Sequence, residues 1–267
     1  MIVDEILYLI FHTCDTMKKE LNKHQNNLEF GYQHLTMFLV FSFILFTCSC
    51  QDKQTASTVN YDYLTYLPSD YQEDEFKNWP LIIFLHGASL RGNDLQKLNK
   101  FGIPKLIKEG REFDFIIISP QCPANKDWTT ENWFPATYNE IREKFRIDIN
   151  RVYLTGLSLG GEGTWYISEQ YPDIFAAISP VCGRVSHIPS ILKESEEISS
   201  LPIWIFHGAL DKVYSVKESD KMYSLLKDLN PNIRYTRYPD LGHGATHDTT
   251  YKDPELYNWF LSHYKIK

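Results

Sequence analysis

The chain has 267 residues, of which 43% are hydrophobic and 15% aromatic, a composition that supports a sizeable core and excludes an intrinsically disordered protein. The length fits one large domain or at most two small ones. The formal net charge is -7 and no block of basic residues is present, so nucleic acid is not expected as a partner.

The N-terminal part of the chain has features of an exported protein. Residues 37–48, "MFLVFSFILFTC", form an apolar run that is too short to span a bilayer comfortably and has the length of a signal-peptide hydrophobic region. Lys18, Lys19 and Lys23 lie upstream and supply a positively charged flank. Acidic residues nearer the start do not suit such a flank, so translation could begin at Met17.

The stretch "TCSCQDK" that follows resembles the end of a bacterial lipoprotein signal, in which small residues precede a lipidated cysteine. Cys50 is the favoured lipidation site and Cys48 the alternative. We therefore predict an export segment over residues 1–50 and a flexible polar tether over 51–58. The protein is then expected in the periplasm, on the cell surface or secreted. Its contact with a membrane would be through the lipid anchor only, and secretion without a lipid is the alternative.

Short apolar runs alternate with longer amphipathic stretches from Tyr61 onward. The apolar runs are mostly continuous, as in strands that are buried on both faces. This alternation predicts an α/β fold over residues 59–267, with a mostly parallel central sheet and helices on both faces. The predicted strands are 61–68, 81–87, 113–120, 151–158, 175–183, 201–208 and 233–240, and the predicted helices are 94–110, 136–146, 159–171, 215–228 and 254–264.

Cys122 and Cys182 are the two cysteines of this predicted domain. Two thiols are not a disulfide framework, and we expect both to be small buried side chains. No spacing of cysteines and histidines typical of a metal site is present, so neither a metal nor another cofactor is expected.

A nucleophile is predicted where the strand at 151–158 ends. Gly156, Ser158 and Gly160 form the pattern G-x-S-x-G at a strand-to-helix turn, where the glycines let the backbone turn sharply and expose the serine hydroxyl. Sites in parallel sheets form beyond the carboxyl ends of the strands. This placement favours a nucleophile over a structural serine in a glycine-rich turn.

A serine hydroxyl needs a base that is held by an acid. Asp211 follows the strand at 201–208, and His243 follows the next strand after a short loop. The order Ser, Asp, His is that of an α/β-hydrolase. His247 is the alternative base, but His243 is favoured because the glycines beside it would let its side chain reach back over the sheet.

Two backbone N–H groups are predicted to bind the oxyanion that forms during acyl transfer. They belong to Ala88, in the turn "FLHGASLRGND", and to Leu159, the residue after the nucleophile. We interpret His86, in the same turn, as a buried histidine that holds the turn by hydrogen bonding.

Aromatic residues in the loop "DWTTENWFP" are candidates for substrate binding. Trp128 and Trp133 could stack on sugar or aryl rings there, and packing against the domain is the alternative. Trp165 and Trp204 lie inside predicted elements and are expected in the core.

The stretches "LHGASLRGND", "PQCP", "VYLTGLSLGGEGTW", "FAAISPVCG", "FHGALDKV" and "YPDLGHG" together resemble secreted α/β-hydrolases often labelled predicted peptidases. That group borders the feruloyl and acetylxylan esterases and the dienelactone-hydrolase and carboxylesterase groups. The similarity covers about residues 60–265 and implies that nucleophile, acid and base are Ser158, Asp211 and His243. Relatives commonly carry "GHDSW" after the base, whereas this chain has "GHGATHD", which keeps His247 as an alternative.

The resulting hypothesis is a serine esterase that forms an acyl-enzyme, with a small-molecule or carbohydrate ester as its substrate. Acyl or feruloyl esters on carbohydrates are the substrates that the resemblance implies. A serine peptidase of the same fold is the main alternative. A carbohydrate-binding lipoprotein without catalytic activity is a third interpretation, but a binding protein would need none of the serine, aspartate and histidine.

Overall fold

The computed structural model describes residues 59–185 and 200–265, all within the structural unit Ser57–Lys267. The predicted export segment, residues 1–50, and the predicted tether, residues 51–58, lie outside the described residues.

Seven strands in the described residues form one sheet, in the order β1-β3-β2-β4-β5-β6-β7. Every neighbouring pair is parallel except β1 and β3, which are antiparallel, and β1 and β7 are the edge strands. Each predicted strand is present, and the prediction of a mostly parallel sheet is confirmed. The strands are β1 Tyr63–Tyr66, β2 Trp79–Leu85, β3 Ile116–Pro120, β4 Ile147–Leu157, β5 Ala177–Val181, β6 Ile203–Gly208 and β7 Ile233–Tyr238.

Helices connect most of these strands. Short 3-10 helices lie at Ala88–Leu90, Leu95–Lys100 and Pro172–Ile174. In the described ranges, no helix is both long and apolar enough to cross a bilayer. The α-helices are α1 Gly102–Lys108, α2 Phe134–Lys144, α3 Leu159–Gln170, α4 Lys217–Leu226, α5 His243–Lys252 and α6 Pro254–Leu261.

Two helical regions differ from the sequence prediction. The helix predicted over 94–110 is divided in two, because Gly102 has a φ of +65° and approaches the ring of Phe84 too closely for a side chain to fit. Helix α5 was not predicted, since "HGATHDTTYK" contains a glycine and several threonines, which are weak helix formers.

The core lies on both faces of the sheet. All residues of β2 are buried, and its side chains alternate between the two faces. Leu81 and Ile83 join one hydrophobic cluster with Trp165, and Ile82 joins the other with Trp204. Burial on both faces explains why β2, β3, β5 and β6 are mostly apolar. The predicted core positions of the two tryptophans are confirmed.

Glycines bring helix α3 unusually close to the sheet. A Cβ atom on Gly156 would overlap the carbonyl group of Gly160, and one on Gly160 would overlap the carbonyl group of Leu85 in β2. The helix therefore packs with its backbone against the backbone of the strands. This contact fixes how far the turn between β4 and α3 projects beyond the sheet.

Replacement of Gly160 by alanine should separate α3 from β2. Because the added methyl group meets backbone rather than a movable side chain, we expect the free energy of unfolding to fall by about 2 kcal/mol or more. Urea denaturation of Gly160→Ala measures this loss. Gly244→Ala is the control, since a Cβ there has no neighbour within 4 Å. Equal stability of the two variants would contradict the packing argument.

Candidate active site

The turn between β4 and α3 holds Ser158 in a strained conformation. Its backbone has φ 56° and ψ -118°, a combination that residues with a side chain rarely adopt. The Ser158 N–H donates a hydrogen bond of 2.9 Å to Val181 O at the end of β5. Such strain persists only where the surrounding structure enforces it, and it is frequent at functional sites.

The carboxylate of Asp211 lies beyond the end of β6 and has no solvent exposure. Its Oδ1 accepts backbone N–H groups from Val213 at 2.8 Å and Tyr214 at 3.0 Å. Its Oδ2 faces His243 and His207. Both oxygens of the buried carboxylate therefore face N–H donors.

His243 is the first residue of α5, at the same edge of the sheet. Its Nδ1 lies 2.6 Å from Asp211 Oδ2, so the ring donates this nitrogen's proton to the carboxylate. The side chain is 18% exposed, and its ring is perpendicular to that of Tyr214. With Nδ1 protonated, Nε2 is left as the acceptor, which is the arrangement that a general base requires.

His247 lies one turn further along α5 in a different environment. Its buried ring packs edge-on against Phe101, with ring centroids 5.7 Å apart. Its Nδ1 is 3.4 Å from Asp248 Oδ1 and makes no hydrogen bond in the described part of the chain. Burial lowers the pKa of this imidazole. The structure therefore brings Asp211 together with His243 rather than with His247.

His207 is a member of the site that the sequence analysis missed. It lies in β6, fully buried, and its Nε2 is 3.2 Å from Asp211 Oδ2 and 3.1 Å from Tyr214 O. Both neighbours are acceptors, so Nε2 carries the proton, and Nδ1 accepts the hydroxyl of Ser219 at 2.7 Å. Burial lowers the pKa of His207. The signal in the sequence was a histidine within an apolar strand, four residues before Asp211.

The two predicted oxyanion donors are the first residues of helical turns. Ala88 begins a 3-10 helix and Leu159 begins α3. First-turn N–H groups have no partner within their own helix, and these two donate to no acceptor among the described residues. Arg91 holds the first turn, because its Nε donates to Ala88 O at 3.1 Å.

His86 is fully buried beneath this turn. Its Nε2 accepts the Cys122 N–H at 3.0 Å, so Nδ1 carries the proton and donates to Gly87 O at 2.7 Å. Burial lowers the pKa of His86 from 6.5 to about 4. The interpretation of His86 as a hydrogen-bonding residue of the turn is confirmed.

Trp128 and Trp133 do not have the exposure that substrate binding would require. Each is 1% exposed. The indole N–H of Trp128 donates to His86 O at 3.0 Å, and that of Trp133 donates to Trp128 O at 3.3 Å. The proposed stacking on substrate is therefore corrected: the two rings support the turn from below.

Cys122 and Cys182, the two cysteines of the described residues, are buried, as predicted, and both are free. Cys182 Sγ, an Asp211 oxygen and a His243 ring nitrogen lie within 4.8 Å of one another. Burial raises the pKa of the Cys182 thiol to about 12, so this thiol stays protonated, and metal ligation requires the thiolate. The Asp211 oxygens already accept N–H groups, so the trio does not fit a metal site.

Comparison with known proteins agrees with this architecture. The sequence pattern of the phospholipase/carboxylesterase family matches residues 113–250. A bifunctional acetylxylan esterase/xylanase of Neocallimastix patriciarum is 25% identical over 173 residues, which cover 62% of this chain and 24% of the relative. The chain therefore spans about a quarter of the length of this curated relative.

Solved structures of esterases share the fold. A thermostable esterase is 29% identical, with a TM-score of 0.63, and the match covers 76% of this chain and 59% of that chain. A ferulic acid esterase matches with a TM-score of 0.58 at 17% identity, covering 74% of this chain and 92% of that chain. The second likeness concerns the fold alone.

The burial of neutral His86 predicts acid-sensitive stability. The folded-state pKa, about 4, lies below the unfolded value of 6.5, so only the unfolded chain takes up a proton between these pH values. The contribution of neutral His86 to the free energy of unfolding is complete above pH 6.5 and is lost as the pH falls towards 4. From pH 7.5 to 4.5 we expect His86 to account for about 2 to 3 kcal/mol of lost unfolding free energy.

Urea denaturation at several pH values compares the parent with His86→Gln, whose amide oxygen can still accept the Cys122 N–H. The variant should lose less stability towards acid, and the other titrating groups cancel because both proteins contain them. Parallel stability curves would show that His86 is not the group responsible.

Proposed function

The chain belongs to the phospholipase/carboxylesterase family of α/β-hydrolases, and on that premise we propose that it is a serine esterase acting through Ser158, His243 and Asp211. The observation that carries the proposal is the hydrogen bond of 2.6 Å between His243 Nδ1 and the fully buried Asp211 carboxylate. This hydrogen bond lies at the same edge of the sheet as the strained turn that holds Ser158.

In the proposed first step, the Ser158 Oγ attacks the ester carbonyl carbon while His243 Nε2 takes the hydroxyl proton. Asp211 keeps the proton on Nδ1 and stabilises the imidazolium that forms. The N–H groups of Ala88 and Leu159 donate to the negatively charged carbonyl oxygen. Because both donors are backbone groups in fixed turns, they need little reorganisation when the charge develops.

Collapse of this intermediate breaks the bond to the alcohol, which takes its proton from His243 Nε2. A water molecule then attacks the acyl-enzyme with His243 again as the base, and the acid and free Ser158 are released. His207 supports the cycle indirectly, since its Nε2–H donates to Asp211 Oδ2 and holds the carboxylate in place.

We propose a carbohydrate-bound acyl group as the substrate. This is supported by the name of the acetylxylan esterase/xylanase relative and by that of the ferulic acid esterase with the same fold. A peptidase activity of the same residues is the second candidate. It is less favoured because an amide has a poorer leaving group than an ester and the names of these relatives point to esters.

We also propose that the protein is exported and held on a membrane by lipid on Cys50. An acyl chain contributes about 0.8 kcal/mol per buried methylene, so two or more chains would give stable anchoring.

Mass spectrometry of the native protein should find an acylated N-terminus at Cys50. If the protein isolated from cells instead keeps an intact N-terminus at Met1 or Met17, export is excluded. A cleaved but unmodified N-terminus would indicate free secretion.

Substitution of the proposed nucleophile and base tests the function. Ser158→Ala and His243→Ala should each reduce hydrolysis of 4-nitrophenyl acetate by about 10⁴-fold or more, because the two groups act as one unit. A fluorophosphonate probe should label the parent and not Ser158→Ala.

His247→Ala is the matched control for the base, since His247 lies on the same helix and has no bond to Asp211. It should lower the melting temperature rather than the turnover number. Full activity of Ser158→Ala would disprove the proposed nucleophile. Loss of activity in His247→Ala together with normal activity in His243→Ala would transfer the role of base to His247.

A further inference from the structure

The mechanism does not use a polar wall that lies beside His243. The wall consists of Glu162, Arg184 and Tyr214, from the first turns of α3 and from the segments after β5 and β6. We propose that the Glu162–Arg184–Tyr214 wall binds the alcohol half of the ester and selects alcohols that are neutral sugars. This inference rests on the proposed function, because it concerns the substrate of the same site.

The backbone connects the wall to the nucleophile turn. The Glu162 N–H donates to Ser158 O at 3.1 Å, one helical turn beyond the serine. The Ser158 N–H donates to Val181 O at 2.9 Å, and Arg184 follows Val181 by three residues. Glu162 and Arg184 are therefore held close to the residue that would attack the ester.

Tyr214 connects the wall to the base. Its ring centroid is 5.8 Å from that of His243, and the guanidinium carbon of Arg184 is 5.8 Å from the same tyrosine ring. The backbone N–H of Tyr214 also binds Asp211. The leaving alcohol must take its proton from His243, so the alcohol half of the ester lies on the side of the site where the wall stands.

The carboxylate of the wall is buried, whereas its guanidinium is exposed. The Glu162 side chain is 8% exposed and that of Arg184 is 54% exposed. One terminal nitrogen of Arg184 donates to both carboxylate oxygens, at 3.1 and 3.3 Å. Its other two nitrogens have no hydrogen-bond partner among the described residues. Within the described ranges, the guanidinium is thus held by Glu162 while two of its nitrogens keep their N–H groups available.

These donors fit the hydroxyl groups of a sugar better than an anion or a hydrocarbon. The charge of Arg184 is offset by Glu162, so an anionic alcohol would meet a carboxylate as well as a guanidinium. An alkyl or aryl alcohol would leave the N–H groups without an acceptor. Neighbouring sugar hydroxyls are neutral acceptors that can bind the planar guanidinium at two points. The Tyr214 hydroxyl, which has no partner among the described residues, is a further donor.

A comparison of two substrates tests the wall. We would measure kcat/KM for an acetylated methyl xyloside and for 4-nitrophenyl acetate, which has no hydroxyl groups. In Arg184→Met the ratio of the first value to the second should fall by about 10- to 100-fold, the factor expected when charge-assisted hydrogen bonds to the substrate are lost. The double variant Glu162→Gln/Arg184→Met should show the same fall, which excludes an effect of a buried carboxylate left alone.

Arg234→Met is the matched control, because Arg234 also pairs with a glutamate, Glu255, but on the exposed edge strand. It should change neither kcat/KM. An unchanged ratio in folded Arg184→Met, or a parent that hydrolyses the aryl ester but not the xyloside, would overturn the proposed subsite. A parent without Ser158-dependent hydrolysis of the aryl ester would instead refute the proposed function itself.

Discussion

The arrangement of the site depends on the buried carboxylate of Asp211. A charge without access to water is stable only when the protein supplies hydrogen-bond donors. Here two backbone N–H groups come from the loop after β6, one imidazole from His207 in β6, and another from His243 at the start of α5. The hydrogen bonds to the Asp211 carboxylate therefore fix β6, the loop after it and the start of α5 relative to one another. The same contacts set the tautomer of His243.

Burial separates the roles of four histidines in the described part of the chain. His86, His207 and His247 are buried, and burial lowers the pKa of each, so they stay neutral and act as hydrogen-bonding or packing groups. His243 alone of the four is partly exposed and hydrogen-bonded to a carboxylate. The same residue type thus serves as support in three places and is suited to proton transfer in one.

Features that depend on local pattern could be predicted from the sequence, whereas features that depend on packing could not. Strands buried on both faces are continuously apolar, and the ends of parallel strands meet at one edge, so Ser158 and the segments that follow β6 and β7 were placed correctly. For Trp128 the sequence left stacking on substrate and packing against the domain both open. The structure decides for packing, because the loop folds back beneath the turn at His86. The role of His207 also required the structure, since nothing local shows which carboxylate a histidine in a strand will meet.

The order of the sheet also affects how one molecule meets another. An edge strand presents unpaired backbone groups to which a strand of a second molecule can bind. At one edge, β1 has four residues, which leaves little backbone to pair. At the other edge, β7 carries Arg234 and Arg237, both exposed. Both arginines are paired with carboxylates, Arg234 with Glu255 and Arg237 with Asp220. A strand from a second molecule would have to displace or bury these charged side chains, so both edges disfavour the strand-to-strand growth that leads to aggregation.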